Sequence, residues 1–285
     1  MKKLSENAFT AFAGRFEYMR LLKYFCCAVL LFFPMVKGSG AVAEETTGLD
    51  TYFRLAMLFE RSQNATFSDQ ACQPAGGNVP YFGCGSGNDG RMIGAYGDFG
   101  SGLGGELALG IRLNRFWRSE LVAGKQNGFT FKGNANFSAA GSNQPVQGSV
   151  RQTRIGIKSY LDILPLLGKE AGMFQPFLGA GVGVSRNEIK TMQYDFPHLN
   201  QPRYTTVPSG SKDQFMWTIL AGTALKLNSR NFIDVSAHYA DYGSVQTSAG
   251  DIAIVRPTST LHIPVHPTSA KLKSYGFSIG LRSHF

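Results

Sequence analysis

The sequence predicts an all-β protein, an eight-stranded antiparallel transmembrane β-barrel with four long extracellular loops and short periplasmic turns. Three observations indicate this class: a low content of charged residues, a two-residue alternation of apolar and polar side chains, and connections that alternate between short and long. Only 16% of the 285 residues are charged, whereas a soluble domain carries about 25%. The mean hydropathy of −0.10 excludes a bundle of membrane helices, and the 12% of aromatic residues exclude a disordered chain.

The chain begins with a segment typical of an export signal. Arg20 and Lys23 precede an apolar run over residues 24–36, which is shorter than the roughly 20 residues that a membrane-spanning helix requires. Small residues follow up to Ala43, a pattern that signal peptidase cleaves. We therefore expect cleavage after Ala43; a retained membrane anchor is the alternative.

Removal of the signal changes the charge of the chain. Residues 1–43 are predicted to form the signal peptide, with Met19 as an alternative start, and residues 44–285 the barrel domain. The signal holds six Lys/Arg and two Asp/Glu, so the mature chain keeps 22 basic and 17 acidic side chains and a net charge of +5 instead of +9. Since no run rich in Lys and Arg survives, we expect no nucleic-acid partner.

Two of the four cysteines remain after cleavage. Cys26 and Cys27 lie in the signal, whereas Cys72 and Cys84 lie in a segment rich in Gly, Pro and Asn. An even pair in an exported loop predicts a disulfide. A metal site of two thiolates is the alternative, but no further Cys or His lies nearby in the sequence.

Eight segments alternate with a period of two, which is typical of β-strands. They cover residues 51–61, 103–113, 117–131, 150–162, 177–186, 217–227, 232–242 and 274–285. The last places Tyr275, Phe277, Ile279, Leu281 and Phe285 on one face. In the third, Phe129 and Phe131 continue the apolar face of Leu121 and Ala123. We expect these apolar faces to point outward to lipid.

The connections between these segments indicate how the strands close. Residues 114–116 and 228–231 are short connections, and residues 163–173 are of medium length. Four long connections, residues 62–102, 132–149, 187–216 and 243–270, alternate with them. Eight strands with both ends on one side produce this alternation, as in bacterial outer-membrane barrels, whereas a soluble sandwich does not require it.

Charged residues share the second, inward face of the segments with glycines. They predict an ion network inside the barrel that consists of Arg54, Glu106, Arg118, Glu120, Arg154 and Lys158. An eight-stranded barrel is just wide enough for its side chains to fill it, and a buried charge without a partner would cost several kcal/mol. The alternative interpretation of these charges is a narrow or gated pore.

Four stretches in the second half of the chain resemble a known family. They are residues 175–184 (QPFLGAGVGV), 211–223 (SKDQFMWTILAGT), 238–243 (HYADYG) and 280–285 (GLRSHF). In this order they resemble the opacity-protein and outer-membrane immunogenic protein family, the small eight-stranded outer-membrane barrels of Gram-negative bacteria. The long first loop with its two cysteines and residues 261–267 depart from the family pattern.

The resemblance implies a location in the outer membrane and a role for the last residue. By it, Phe285 is the strand signal that the barrel-assembly machinery reads. The family also implies a surface protein, often with adhesive or antigenic properties, but not one shared activity.

Three patterns are candidates for chemistry, and we expect none to carry it. Residues 100–105 (GSGLGG) match a dinucleotide fingerprint in letters, but a helix is not predicted after them. His262 and His266 have no third metal ligand nearby. Ser236 and His238 are the nearest candidates for a lipid-modifying enzyme, but they share the inward face, away from lipid. We therefore expect no catalytic residues, cofactor or metal.

These observations predict a non-enzymatic outer-membrane surface protein that displays long loops for adhesion and contributes to envelope integrity. A small porin-like channel for polar solutes is the alternative, and a lipid-modifying enzyme is a more distant one. The partners we expect are outer-membrane lipid and lipopolysaccharide, the barrel-assembly machinery, and a host or matrix ligand that the loops contact.

Overall fold

The computed structural model describes residues 50–199 and 203–285. The predicted signal peptide and its cleavage site at Ala43 lie outside the described residues. The described part of the chain forms fourteen strands and one helical turn, namely β1 (Asp50–Ser62), β2 (Asn64–Asp69), β3 (Ala95–Asp98), β4 (Ser101–Arg112), β5 (Trp117–Ala135), β6 (Pro145–Asp162), α1 (Ile163–Leu166), β7 (Phe174–Ile189), β8 (Met192–Phe196), β9 (Arg203–Val207), β10 (Gly210–Lys226), β11 (Asn231–Gln246), β12 (Gly250–Val255), β13 (Thr260–Val265) and β14 (Thr268–His284).

Eight long strands close into a barrel: β1, β4, β5, β6, β7, β10, β11 and β14. Each pairs antiparallel with the barrel strands before and after it. β14 then pairs back onto β1, from Tyr52 opposite His284 to Ser62 opposite Ser274. Each barrel strand overlaps one of the eight predicted segments. The predicted eight-stranded antiparallel barrel is therefore confirmed.

The outward face of the barrel carries an apolar band. On β1, Phe53 and Leu55 are 38% and 52% exposed, and on β14, Phe277 and Ile279 are 55% and 46% exposed. The other barrel strands contribute Leu103, Leu107, Leu109, Leu121, Ile155, Leu161, Leu178, Phe215, Ile219 and Val235. Large apolar side chains that remain exposed around a whole barrel indicate contact with lipid rather than water.

Charged residues mark the end of this band that lies nearer the long connections. Arg61, Lys125 and Arg186 each occupy the next outward position after the last apolar residue of their strand. Arg186 lies 3.8 Å from Asp213, whereas Arg61 and Lys125 form no ion pair within the described residues. We refer to these three residues as the charged ring. The charged ring lies at the edge of the apolar band, so the two together indicate how far lipid extends along the barrel wall.

Beyond the charged ring the pattern of the wall inverts, so that apolar residues lie inside and polar residues outside. In β5 the inversion coincides with a β-bulge: Gln126 pairs with Gln152 but Phe129 pairs with Val150, so β5 holds one extra residue. Gly128 occupies the bulge with a φ of +91°, a left-handed conformation that glycine adopts without strain.

The predicted outward position of Phe129 and Phe131 is wrong, because the bulge reverses the alternation. Both side chains lie inside the barrel and are 1% and 0% exposed. Odd-numbered residues of β5 face outward before Gly128 and inward after it, since a shift of one residue moves a strand's side chains to the opposite face. A second bulge, between Asp241 and Ser244, reverses the alternation of β11 in the same way.

The long connections are folded and extend the barrel wall. β2 and β3 lie between β14 and β5, while β8, β9, β12 and β13 form a four-stranded extension beside β6. We refer to these six strands, with residues 70–94 and 136–144, as the outer layer. The barrel strands continue into it, which makes β5 19 residues long compared with 12 for β4.

The opposite end of the barrel holds the three shorter connections and both ends of the described chain. Asn114 and Asn228 accept hydrogen bonds from backbone N–H groups two and three residues later, which closes two tight turns. The third connection contains α1. His284 lies 2.6 Å from Asp50, so the first and last barrel strands meet here. Among the described residues, no helix is long and apolar enough to cross a membrane.

Candidate functional site

The half of the lumen nearer the short turns, which we call the ionic half, has Arg54 at its centre. The Arg54 Nη2 atom lies 2.7 Å from Glu106 Oε1 and 2.8 Å from Glu120 Oε2. The three side chains belong to β1, β4 and β5, three adjacent strands whose inward positions alternate with the lipid-facing ones. One guanidinium therefore binds two carboxylates that project into the lumen from neighbouring strands.

Three further cations surround the same two carboxylates. The Lys158 Nζ atom lies 2.6 Å from Glu106 Oε1, and Arg154 Nε lies 3.5 Å from Glu106 Oε2. Arg118 Nη1 lies 3.4 Å from Glu120 Oε1. The structure thus brings all six residues of the predicted network together, and none of them is more than 8% exposed.

Four buried charges that the predicted network does not include complete the ionic half. Arg118 pairs with Asp162 at 3.2 Å, and Arg282 pairs with Asp234 at 3.1 Å. Glu60 lies 3.8 Å from Arg154. The buried charges of the described chain are five basic and five acidic, Arg54, Arg118, Arg154, Lys158 and Arg282 with Glu60, Glu106, Glu120, Asp162 and Asp234. Their formal charges therefore cancel inside the barrel.

Tyrosine hydroxyls supply further partners for these charges. Tyr160 donates a hydrogen bond of 2.9 Å to Glu120, and Tyr242 donates one of 2.6 Å to Glu60. The Arg118 guanidinium lies 4.1 Å from the centre of the Tyr160 ring, within the range of a cation–π contact. Ionic and aromatic side chains together fill the width of the lumen at this level.

The other half of the lumen, towards the outer layer, is filled by apolar side chains, and we call it the apolar half. Phe67 and Phe131 meet edge to face with ring centres 4.9 Å apart, and Phe99 lies 5.4 Å from Phe131. Both bulged strands deliver residues to this cluster, Phe129 and Phe131 from β5 and Val245 from β11. These rings form a dry core across the barrel above the ionic half.

Little free space remains between the side chains of the ionic half. A cavity of about 20 Å³ lies among Lys158, Met216, Thr218 and His238. A site of that size holds about one water molecule. The lumen is therefore packed.

Ser236 and His238, the nearest candidates for lipid chemistry, are used in the wall of the lumen. The Ser236 hydroxyl lies 2.9 Å from the Ser278 hydroxyl, and His238 Nε2 lies 2.8 Å from Glu60 Oε1. The two side chains have different partners and do not form a nucleophile–base pair. Their inward orientation also separates them from the lipid that such an enzyme would modify.

Within the outer layer, a covalent link and polar links hold the first loop, residues 70–94, in a folded conformation. Cys72 and Cys84 form a disulfide with a Cα–Cα distance of 5.3 Å. Beside it, the Asp69 carboxylate accepts backbone hydrogen bonds from Phe82 and Gly83, both of 2.7 Å. These links join residues 69–84 of the first loop to one another.

Contacts between the first loop, residues 70–94, and the second loop, residues 136–144, surround a polar groove. Asn136 donates a hydrogen bond of 2.8 Å to Asp89, and this hydrogen bond, with those from Arg91, lowers the pKa of the Asp89 carboxyl to about 2. Asn88 donates one of 2.7 Å to the Gly141 carbonyl. The groove between the loops has a volume of about 590 Å³ and is lined by Asn88, Asp89, Arg91, Tyr96, Asn134 and Ser138.

The remaining sequence candidates lie apart from one another. Residues 100–105 run into β4, so a strand follows this motif instead of a helix. His262 lies on β13, and the described residues contain no group of three potential metal ligands. Phe285 is 78% exposed, and its N–H donates to the Thr51 carbonyl at 3.1 Å.

An apolar outer band, a polar packed interior and a closed ring of antiparallel strands occur together only where a wall faces lipid. The chain is a transmembrane β-barrel. Bacterial outer membranes are where chains of this form are inserted, so the predicted outer-membrane location is confirmed.

Several solved structures of outer-membrane proteins resemble the fold of this chain. Neisserial surface protein A aligns at 13% identity and a TM-score of 0.39, over 84% of this chain and 99% of its own. The outer membrane protein OprG from Pseudomonas aeruginosa aligns at 14% identity and a TM-score of 0.44, over 83% and 96%. The outer membrane protease OmpT from Escherichia coli aligns at 9% identity and a TM-score of 0.47, over 85% and 99%. No protein-family model and no curated protein sequence matches the chain.

Proposed function

We propose that the protein is a non-conducting, non-enzymatic outer-membrane surface protein whose activity lies in its outer layer. The observation that carries this proposal is the packed lumen. A solute would have to pass both the apolar half and the ionic half, and the cavity among Lys158, Met216, Thr218 and His238 in the latter has a volume of only about 20 Å³. An eight-stranded barrel has no spare width to open without removing these side chains.

The outer layer is the part of the molecule that is built for contact. A disulfide links two parts of the first loop, and hydrogen bonds join the first loop to the second. The two loops therefore present a defined surface. The polar groove between the first and second loops offers amide, carboxylate, guanidinium and hydroxyl groups side by side. Such a groove suits a host or matrix ligand rich in hydroxyl groups, because most of the lining side chains can donate or accept a hydrogen bond.

Lipopolysaccharide and the assembly machinery are the partners that the barrel itself suits. Arg61, Lys125 and Arg151 are exposed on the outward face at the extracellular end of the apolar band, where the phosphates of lipopolysaccharide lie. Phe285 ends the last strand on the opposite side, where an assembly factor meets the chain. Attachment of lipopolysaccharide around the barrel would be the contribution to envelope integrity.

The conducting alternative is tested by single-channel recording in planar bilayers. We expect the full mature chain to produce no current steps above those of a protein-free bilayer. Folding is checked in the same preparation by the shift in gel mobility on heating. Reproducible current steps whose size falls in folded Thr218→Leu, which places a larger apolar side chain at this cavity, would show that the barrel is a channel.

The surface role is tested by replacing parts of the outer layer. Residues 85–94 and 136–144 are exchanged together for Gly-Ser linkers, and binding of cells that display the protein to immobilised matrix glycans is measured. We expect binding to fall to the level of cells without the protein. The matched control replaces residues 167–172 at the opposite end, which should leave binding unchanged. Equal binding by both variants would contradict the proposal.

The enzymatic alternative is tested by mass analysis of lipid A from cells that express the protein. We expect the same lipid A masses with the wild-type chain, with His238→Ala and without the protein. A new mass that requires His238 would show that the barrel modifies lipid.

A further inference from the structure

A second cavity in the outer layer, separate from the polar groove, is apolar and opens outward. It has a volume of about 350 Å³, within the range of small-molecule sites. Its walls include Tyr81 and Phe137 from the first and second loops, and Phe196, Ile252, Ile254 and Ile263 from β8, β12 and β13. The exposed residues Ala139 and Arg256 lie at its rim.

Two arginines line this otherwise apolar cavity. β9 and β12 are paired, with Val255 opposite Tyr204 and Ile254 opposite Thr205. Arg203 is the first residue of β9 and Arg256 directly follows β12, so the two arginines lie at the same end of the paired strands, and both line the cavity. The two cations thus converge on one edge of the cavity from neighbouring strands.

Nothing in the described chain neutralises this pair of cations. No Asp or Glu lines the cavity, and neither arginine forms an ion pair within residues 50–199 and 203–285. Like charges that line the same cavity without a counter-ion repel each other. An anion between the two guanidinium groups would remove this repulsion and form charge-assisted hydrogen bonds with both.

We propose that this cavity binds an amphipathic organic anion, with the anionic group between Arg203 and Arg256 and the apolar body among the aromatic and isoleucine side chains. The anionic group is a carboxylate, sulfonate or phosphate, because these match the planar donor arrangement of arginine. The site is a further binding function beyond the display of loops. It neither depends on the polar groove nor requires that the lumen conduct.

Titration calorimetry tests the site in the folded full-length mature chain, inserted in phosphatidylcholine nanodiscs. The probes are naphthalene-2-carboxylate and octanoate, and the heat of binding to empty nanodiscs is subtracted. Naphthalene-2-methanol lacks the charge and acetate lacks the apolar body. We expect one of the two amphipathic acids to bind, and the comparison between them distinguishes an aromatic ligand from a fatty-acid-like one. Both reference compounds should bind at least about tenfold more weakly.

Three variants separate the site from non-specific adsorption. Replacing both Arg203 and Arg256 with Gln should weaken binding of the acid at least about tenfold. Ala139→Trp, at the exposed rim, should block the cavity without loss of a buried contact. Arg115→Gln removes an exposed cation in a turn at the opposite end of the barrel and should bind as the wild type does.

The proposal is overturned if neither acid binds, if the acid and the alcohol bind equally, or if the paired Gln substitutions leave the affinity unchanged. Gel mobility before and after heating confirms that each variant is folded. If the paired Gln substitutions abolish binding of the amphipathic acid and leave cell adhesion unchanged, this site is independent of the proposed surface function.

Discussion

The ionic half of the lumen contains ten buried charges, whereas the apolar half contains aromatic and aliphatic side chains in the same barrel. The ionic half lies within the apolar outer band, so its wall faces lipid outside and charge inside. The apolar half lies beyond the charged ring, where the outside of the wall meets water. Each stretch of wall therefore has one polar and one apolar face, and the two faces exchange at the limit of the lipid.

The two halves fill the lumen under different physical requirements. In the ionic half every carboxylate and guanidinium needs a specific partner, since a buried charge that loses its partner is costly. In the apolar half the requirement is volume, because a removed ring leaves a cavity. The stability lost on substitution should therefore depend on the removed charge in the ionic half and on the removed volume in the apolar half.

The largest effect is expected for Glu120→Ala in the ionic half. Arg54 and Arg118 would lose their shared carboxylate, and the free energy of unfolding should fall by about 4 kcal/mol. Urea unfolding in phosphatidylcholine vesicles, followed by tryptophan fluorescence, measures this. The control is Glu188→Ala on the outward face, where the pair with Arg186 is half exposed and the loss should stay below about 1 kcal/mol. Equal losses in the two variants would mean that the buried pairs are no more important than surface ones.

Phe131→Ala in the apolar half should have the next largest effect. Loss of a ring that is 0% exposed leaves a cavity among Phe67 and Phe99, and the free energy of unfolding should fall by about 3 kcal/mol. Phe131→Leu keeps most of the volume and should cost less than about 1.5 kcal/mol. The same urea experiment at two salt concentrations should give the same losses. A strong dependence on salt would contradict a purely apolar contribution.

A smaller effect is expected at the bulge that divides the two halves. Gly128→Ala forces a Cβ onto a residue with a φ of +91°, which should cost about 1 kcal/mol. The matched control is Gly105→Ala, because Gly105 has an ordinary φ and open space where the Cβ would lie. That control should change stability by less than about 0.5 kcal/mol. A larger loss in the control than in Gly128→Ala would mean that the bulge tolerates other residues.

The same bulge shows where prediction from the sequence ends. The eight strands and the inward charges could be predicted, because a wall between lipid and a polar interior imposes a two-residue alternation. In β5 the apolar residues Leu121, Ala123, Phe129 and Phe131 all have odd numbers, with Lys125 and Asn127 between the two pairs. Nothing in that pattern shows that Gly128 turns the second part inward. Periodicity reports the spacing of apolar residues and not the face on which they lie.

The outer layer could be predicted only as long connections. Its strands are short and interrupted by Gly, Pro and Asn, so the alternation is too brief to identify them. The placement of Arg203 and Arg256 on one cavity depends on the pairing of β9 with β12, which are separated by more than forty residues in sequence. The four buried charges outside the predicted network also occupy inward positions of predicted segments and could have been added by the same alternation: Glu60, Asp162, Asp234 and Arg282.

The smallest effect is expected in the outer layer, where acid should loosen the contact between the first and second loops. Hydrogen bonds from Asn136 and Arg91 lower the pKa of Asp89 to about 2. A carboxyl whose pKa is lower in the folded state stabilises that state above its ordinary pKa, and the contribution is lost as the pH falls through about 2. Amide hydrogen exchange at Gly94, whose N–H donates to the Asn136 side chain, should therefore accelerate between about pH 4 and pH 2. Asp89→Asn removes the titrating group. In this variant the amide exchange rate at Gly94 should show no step in that range beyond its intrinsic pH dependence. A step centred near pH 4 in the wild-type chain would show that Asp89 is ordinary and that the two loops are joined by other contacts.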